Sequence, residues 1–298
     1  MRTLPPRAVV VTRPTDYETL LLRHGTREQA RFFLRSRGEK LDDAEARHGV
    51  VAEALHKVVA AIPSAWRRAR VGRADLHRFL FEPEDLVVAV GQDGLVANVA
   101  KYARGRCVVG VNPSRKLFDG VLVRHPPEAM GDLYAQFARG GLPFEERALV
   151  QAVTSDGQSL LALNEIYVGH RTHQSSRYVL ALGDRRERHS SSGLIIATGT
   201  GASGWAKSVS RRRVDAAPLP GPTSPDLAFY VREAWPSVRT GTDLTDGLIT
   251  PGEELIVASE MNEGGVVFGD GIEDDRLELP YGQHVILSKS EDALHLCR

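Results

Sequence analysis

The most constraining feature of this chain is Leu86 to Val90 (LVVAV), an uninterrupted apolar run that leads into Gly91-Gln92-Asp93-Gly94 and then into the helically spaced segment Leu95 to Ala103. A strand that is apolar at every position has both faces covered, as in a parallel sheet with helices on either side. Arg106 to Val111 (RCVVGV) supplies a further strand, so strand, turn, helix and strand follow in the order of a βαβ unit. Arg7 to Thr12 (RAVVVT) and Arg67 to Val71 read as earlier strands. Between them lie two helical segments, Arg27 to Arg37 and Asp42 to Ile62, the second closed by Pro63. The expectation is an α/β N-terminal domain with a parallel sheet over residues 1–118.

Beyond it the pattern changes to short β-like runs: Val121 to Val123, Arg147 to Val153, Ala162 to Val168, Tyr178 to Leu182, Leu194 to Thr198, Glu254 to Ser259 and His284 to Ser288. These predict an all-β C-terminal domain, 119–298, mostly antiparallel. Two polar stretches, Gly183 to Ser192 (GDRRERHSSS) and Asp215 to Asp226 with its four prolines, read as surface loops.

A chain of 298 residues fits two domains better than one core. Lys+Arg and Asp+Glu are equal at 38 each, so no global field gathers nucleic acid or an acidic membrane, and any anion site must be local. Cys107 and Cys297 are the only cysteines, too few for a disulfide framework, and the ten histidines show no paired metal-ligand spacing. The start lacks the apolar run of a signal peptide, and no stretch approaches about eighteen apolar residues. A cytoplasmic protein without nucleic-acid or membrane partners is expected.

Three segments carry candidate chemistry. Gly91-Gln92-Asp93-Gly94-Leu95 sits at the carboxyl end of a parallel strand, where glycines let the backbone approach phosphates and the next helix presents free N–H groups. Asp93 there suits a base for an attacking hydroxyl or a ligand for magnesium, while the same string also makes a plain capped turn. Thr198-Gly199-Thr200-Gly201-Ala202-Ser203-Gly204 follows a strand and offers backbone and hydroxyl donors, and Trp205 can stack on a base; an ordinary loop with a core tryptophan is the plainer alternative. Asn164-Glu165 interrupts the apolar run Leu161 to Val168, and an amide beside a carboxylate suits a base edge and ribose hydroxyls unless the pair marks a bulge. Arg211-Arg212-Arg213, with Lys207, reads as a solvated run that can also close over phosphates.

In this order the segments resemble the NAD kinase family, whose marks are a glycine-rich Asp turn, an Asn-Glu pair and a Thr-Gly turn. The similarity extends to that family's mitochondrial-type branch through Val10-Val11-Thr12-Arg13-Pro14-Thr15-Asp16-Tyr17-Glu18, Gly110-Val111-Asn112-Pro113, Asn164-Glu165-Ile166-Tyr167-Val168-Gly169, Ser175-Ser176-Arg177, Ser192-Gly193-Leu194 and Asp270-Gly271. The resemblance implies a Rossmann-like domain followed by an all-β domain whose last segment returns to the first, the NAD kinase/diacylglycerol kinase-like fold. It implies transfer of the terminal phosphate of ATP to the 2′-hydroxyl of the adenosine ribose of NAD, a divalent cation such as Mg2+ held through the phosphates with Asp93 as the protein carboxylate in question, and a homodimer.

By the same resemblance Asp93 is catalytic, as base or aligning carboxylate. Gly91, Gln92, Gly94, Asn112, Asn164, Glu165, Arg177, Thr198, Thr200, Gly201, Ser203 and Trp205 bind nucleotide or phosphate. The family turn Gly-Gly-Asp-Gly-Thr is here Gly91-Gln92-Asp93-Gly94-Leu95. Gln92 stands where a glycine can take positive φ, and Leu95 lacks a hydroxyl. A kinase with another nucleoside, nucleotide or sugar acceptor, or a non-catalytic dinucleotide-binding protein, therefore stays open beside the NAD kinase reading.

Overall fold

Parallel β-structure comes first. The computed structural model describes residues 4–211, 213 and 216–298. The chain divides into two compact units, residues 1–145 with 295–298, and residues 146–294.

In the first unit β1 (Arg7–Thr12) is followed by α1 (Asp16–His24), α2 (Arg27–Arg35), α3 (Leu41–Ala60) and β2 (Arg67–Gly72). Then come β3 (Asp85–Val90), α4 (Asp93–Ala100), β4 (Cys107–Val111) and α5 (Met130–Ala138). The strands lie in the order β2-β1-β3-β4, all parallel. All six residues of β3 are buried, as its unbroken apolar run predicts. At its first residue the charged group is paired: Arg7 donates from Nε and Nη2 to both oxygens of Asp85, each at 2.7 Å, and Arg7 and Asp85 are register partners. The carboxylate raises the Arg7 pKa, chiefly through this hydrogen-bonded pairing. One side of the sheet packs Val10, Val88 and Val109 against Val58 of α3 and against Met130, Tyr134 and Phe137 of α5.

That packing of α5, which the sequence reading did not identify, carries the first unit to Glu145, so the expected boundary near 118 falls inside it. Helix α1 was also missed. Thr15 caps it in a reciprocal capping box with Glu18, and Gly25 closes it at φ 75°. Val121 to Val123 forms no strand, because its backbone N–H groups bond a side chain instead.

The second unit is antiparallel. It contains β5 (Phe144–Thr154, from Glu146 on), β6 (Ser159–Ala162), β7 (Glu165–His170), β8 (Ser176–Leu182), β9 (Arg185–Ser191) and β10 (Leu194–Thr198). After α6 (Trp205–Ser210) come β11 (Leu227–Val231), β12 (Asp246–Ile249), β13 (Leu255–Ser259), β14 (Gly265–Gly269), β15 (Leu277–Glu278) and β16 (His284–Cys297). One sheet has the order β12-β11-β10-β7-β14-β15, and β16, β13, β8 and β9 adjoin in the other. Ile166, Val168, Ile196 and Phe229 from the first meet Tyr178, Leu180, Val257 and Val285 from the second in one apolar core.

Gly183 to Ser192 is not a loop. Residues 185–191 form β9 at the end of its sheet, where polar side chains are tolerated on the exposed face and discourage further pairing. Residues 216–226 carry no helix or strand, while Arg212 and Asp215 lie outside the described residues. β16 runs well past Ser288, and its His295 and Leu296 pair in parallel with Cys107 and Val108 of β4 within the first unit.

Candidate functional site

In the first unit the turn after β3 is built around Asp93. Gly91 donates its N–H to Val111 O at 3.0 Å, Gln92 occupies the N-cap position of α4, and Asp93 opens the helix. The Asp93 carboxylate accepts three backbone N–H groups, Val121 at 3.0 Å on Oδ2 and Leu122 and Val123 at 2.8 and 3.0 Å on Oδ1. An ionised carboxylate has about four acceptor sites, so one stays open to an outside donor. Asp93 therefore ties the 121–123 segment to the turn and keeps room for a single hydroxyl, which suits an aligning role.

Gln92 corrects the sequence expectation. Its φ is −99° and its ψ 164°, so no glycine is needed there for backbone reasons; what its side chain alters is the space, since it lines a cavity of about 150 Å³. Leu95 is fully buried and faces the core. Gly94 is exposed at the start of α4. Asn112, also buried, acts within its own loop: its Nδ2 donates to Phe118 O at 3.1 Å and its Oδ1 accepts from Ser114 N at 3.0 Å.

In the second unit three segments far apart in sequence form one knot. β6 ends at Ala162 and β7 begins at Glu165, and the break between them is held by Asp270, whose carboxylate accepts from Leu163 N at 3.1 Å and Asn164 N at 2.7 Å. Asp270 returns its own N–H to Glu165 O at 3.0 Å and takes φ 55°, unusual for a residue with a side chain. From the other flank Thr198 N donates to Asn164 O at 2.9 Å and the Thr198 hydroxyl donates to Leu163 O. The same hydroxyl accepts from Thr200 N and Gly201 N at 3.1 and 3.2 Å, which sets the turn.

Glycine is required twice in this turn by close approach. A Cβ on Gly199 would meet Gly221 O, and one on Gly201 would meet Asn164 O. Arg147, buried within β5, donates from Nη1 to the Thr200 hydroxyl at 3.4 Å and to Pro222 O at 3.3 Å. Sequence reasoning had Arg147 only as the first residue of a β-like run, because its burial beside Glu145-Glu146 is not legible in the sequence. Asp270 stands in the sequence only as part of Asp270-Gly271, and its partners lie more than a hundred positions away.

Glu165 is the group this knot perturbs. Burial, reinforced by the charge of Asp270, pushes its carboxyl up to about 7. Among the described residues the Asn164 side chain has no hydrogen-bond partner, which leaves its amide for a ligand. Farther along β7, Tyr167 stacks on Trp205 with ring centroids 5.8 Å apart and planes 10° apart, and the Arg232 guanidinium lies 4.9 Å from the Trp205 ring centre. Tyr167, Trp205, Phe268, Arg171, Arg232 and Arg276 line a cavity of about 370 Å³. Gly169 and Gly193 clear the space for the Tyr167 ring, which a Cβ on either would strike.

Arg177 is not brought into this knot; it lies exposed on β8 beside a separate cavity with Arg239 and Trp235. Ser203 is exposed at the end of the turn. Arg213 is not a solvated charge: it pairs with Asp246 at 2.7 Å and donates to Thr245 O at 2.9 Å, so it is not available to close over phosphates. Among the described residues no three His, Cys, Asp or Glu side chains cluster as a metal site, and no helix is long and apolar enough to cross a membrane.

No family model matches the chain. Among curated proteins it is similar to the NAD kinase of Halorhodospira halophila, 32% identical over 139 residues that cover 43% of this chain and 44% of that protein. It is 29% identical to the NAD kinase of Halorubrum lacusprofundi over 59% of this chain and 65% of that one. With the human mitochondrial NAD kinase 2 it shares 25% identity over 70% of this chain and 58% of the other. The matches thus span between 44% and 65% of these relatives' lengths. A crystal structure of yeast NADH kinase with NADH has the same fold, with a TM-score of 0.59 at 11% identity, covering 99% of this chain and 84% of that one.

Proposed function

With kinship to the NAD kinases as the premise, we propose that this chain transfers the terminal phosphate of ATP to the 2′-hydroxyl of the adenosine ribose of NAD, giving NADP. The observation that carries the reading is the knot of Asn164, Glu165, Thr198 and Asp270: it holds one free amide and one carboxyl near neutrality beside an aromatic wall, the donors, acceptors and stacking faces that a nucleoside engages. The second unit holds the dinucleotide and the first the donor phosphates. Within the first unit Asp93 is the catalytic residue of this reading, since its carboxylate keeps one acceptor site for a hydroxyl donor.

Magnesium belongs to the proposal as a companion of the phosphates. Asp93 has three of its acceptor sites occupied, and the described residues offer no cluster of further ligands, so the protein groups do not make a cage for the ion and no step runs through one. A cytoplasmic homodimer completes the reading.

The test is a substrate panel with purified protein, ATP and magnesium, in which NAD, NADH, nucleosides and sugars are offered and products identified by mass. NADP should form, and Asp93→Asn should lower turnover on the order of a hundredfold. Because Asn places a donor where the carboxylate accepted an N–H, the variant's thermal midpoint is measured alongside. Phosphorylation of another acceptor with none of NAD, or consumption of no ATP at all, sinks the proposal.

A further inference from the structure

Strand order β2-β1-β3-β4 places the reversal of chain direction across the sheet between β1 and β3, and open α/β sheets bind ligands outside the carboxyl ends of the strands at that point. The cavity of about 150 Å³ lies there: Val90, Gly91 and Gln92 come from the end of β3, and Arg13, Pro14 and Thr15 from the end of β1. Arg47 and His48 of α3 face it from the other side. A second cavity of about 390 Å³ shares Arg13, Thr15, His48 and Val90 and adds Arg70.

Two arginines line the smaller cavity, Arg13 and Arg47. Arg7, Arg27 and Arg67 each hold a carboxylate. Among the described residues Arg13 and Arg47 have no hydrogen-bonding, ionic or ring partner. On the smaller cavity's wall Asp16 is the one carboxylate, and Glu18, beside the larger, is engaged by the N–H and hydroxyl of Thr15 at 2.8 and 3.0 Å. Thr15 also hydrogen-bonds His48 Nδ1 at 2.9 Å, which fixes the loop after β1 against α3. Two unpaired guanidiniums on a loop and a helix that are tied together, at the crossover point of a parallel sheet, make a fork for a linear phosphate chain, the geometry arginine serves better than lysine.

We infer that Arg13 and Arg47 grip the phosphate chain of the phosphoryl donor, with Gln92 on the facing wall. The donor assignment rests on the kinase reading above, but the anion site does not. The same chemistry is offered by a nucleoside triphosphate and by inorganic polyphosphate, and the two are separated in the test.

The probes are tripolyphosphate and ATP, each followed by thermal shift and titration calorimetry on the full chain, for the parent, Arg47→Ala and Arg13→Ala/Arg47→Ala. Arg47 is exposed on a helix and alanine is the best helix former, so Arg47→Ala folds. Tripolyphosphate should bind the parent, on the order of tenfold more weakly to Arg47→Ala, and not measurably to the double variant. In the kinase assay KM for the donor should rise by on the order of tenfold in Arg47→Ala while KM for NAD stays unchanged. ATP binding that tripolyphosphate cannot displace, or tripolyphosphate affinity equal in parent and Arg47→Ala, overturns the inference. If the parent phosphorylates no acceptor yet loses tripolyphosphate binding on substitution, the kinase reading fails and the anion site stands.

Discussion

Glu165 and Asp93 show how differently two carboxylates of one chain are used. Asp93 accepts three backbone donors from 121–123, a role that its neighbours in sequence do not announce. Glu165 is held near neutrality by burial and by Asp270. Its folded-state pKa of about 7 lies above its ordinary value of 4.5, so the folded protein binds the extra proton between those limits. Stability therefore falls as pH rises through that window and levels off above it. Glu165→Gln removes the ionisation, so the variant should gain thermal midpoint relative to the parent at pH 8, with the difference narrowing below pH 5. Parallel midpoints across the whole range would show that Glu165 is not perturbed in the folded state. The Asn-Glu pair stood out in the sequence as polar residues inside an apolar run, whereas the carboxylate that controls it is remote in sequence and was visible only as a motif.

At the scale of elements, periodicity and capping account for most of what was legible. β1, β3, β4, β10 and α3 follow from apolar runs and helical spacing. Thr15-x-x-Glu18 caps α1 in a capping box, but no residue of this short helix is fully buried, and Tyr17, Leu20 and Leu21 pack only partly against α2 and α3. β9 was read as a loop because every position from Arg185 to Ser191 is polar; its strand geometry comes from the seven register pairs with β8. The Thr198 to Gly204 turn was seen as glycine-rich, and its real requirement is the contact between the turn and the β6–β7 break. Gly201→Ala should accordingly lower stability by about 1–3 kcal/mol, and NAD affinity with it, since the new methyl group meets the Asn164 carbonyl. Urea denaturation checks this, and an unchanged midpoint would mean that the break at Asn164 yields without penalty.

For the whole molecule the proposal makes two linked expectations. NAD should raise the thermal midpoint by mass action, by about 2.7 kcal/mol of stability at a hundredfold excess over its Kd, and Asn164→Ala should reduce that shift while leaving the ligand-free midpoint nearly as it was, because the side chain has no partner among the described residues. Light scattering should give the mass of two chains; a single-chain mass at micromolar concentration would remove the homodimer from the proposal. The sequence by itself determined the parallel α/β beginning, the antiparallel continuation, and the three segments that bear on chemistry, because hydrophobic period and turn composition are local properties. Only the tertiary structure decided that Asp270 and Thr198 clasp Asn164, that Asp93 binds 121–123, that Arg213 is paired and Arg13 and Arg47 are not, and that the first unit runs to Glu145 and regains His295 to Arg298. Those partnerships join residues tens to more than a hundred positions apart. Which donor meets which acceptor at such separations is set by how the strands stack and register, and no local pattern encodes it.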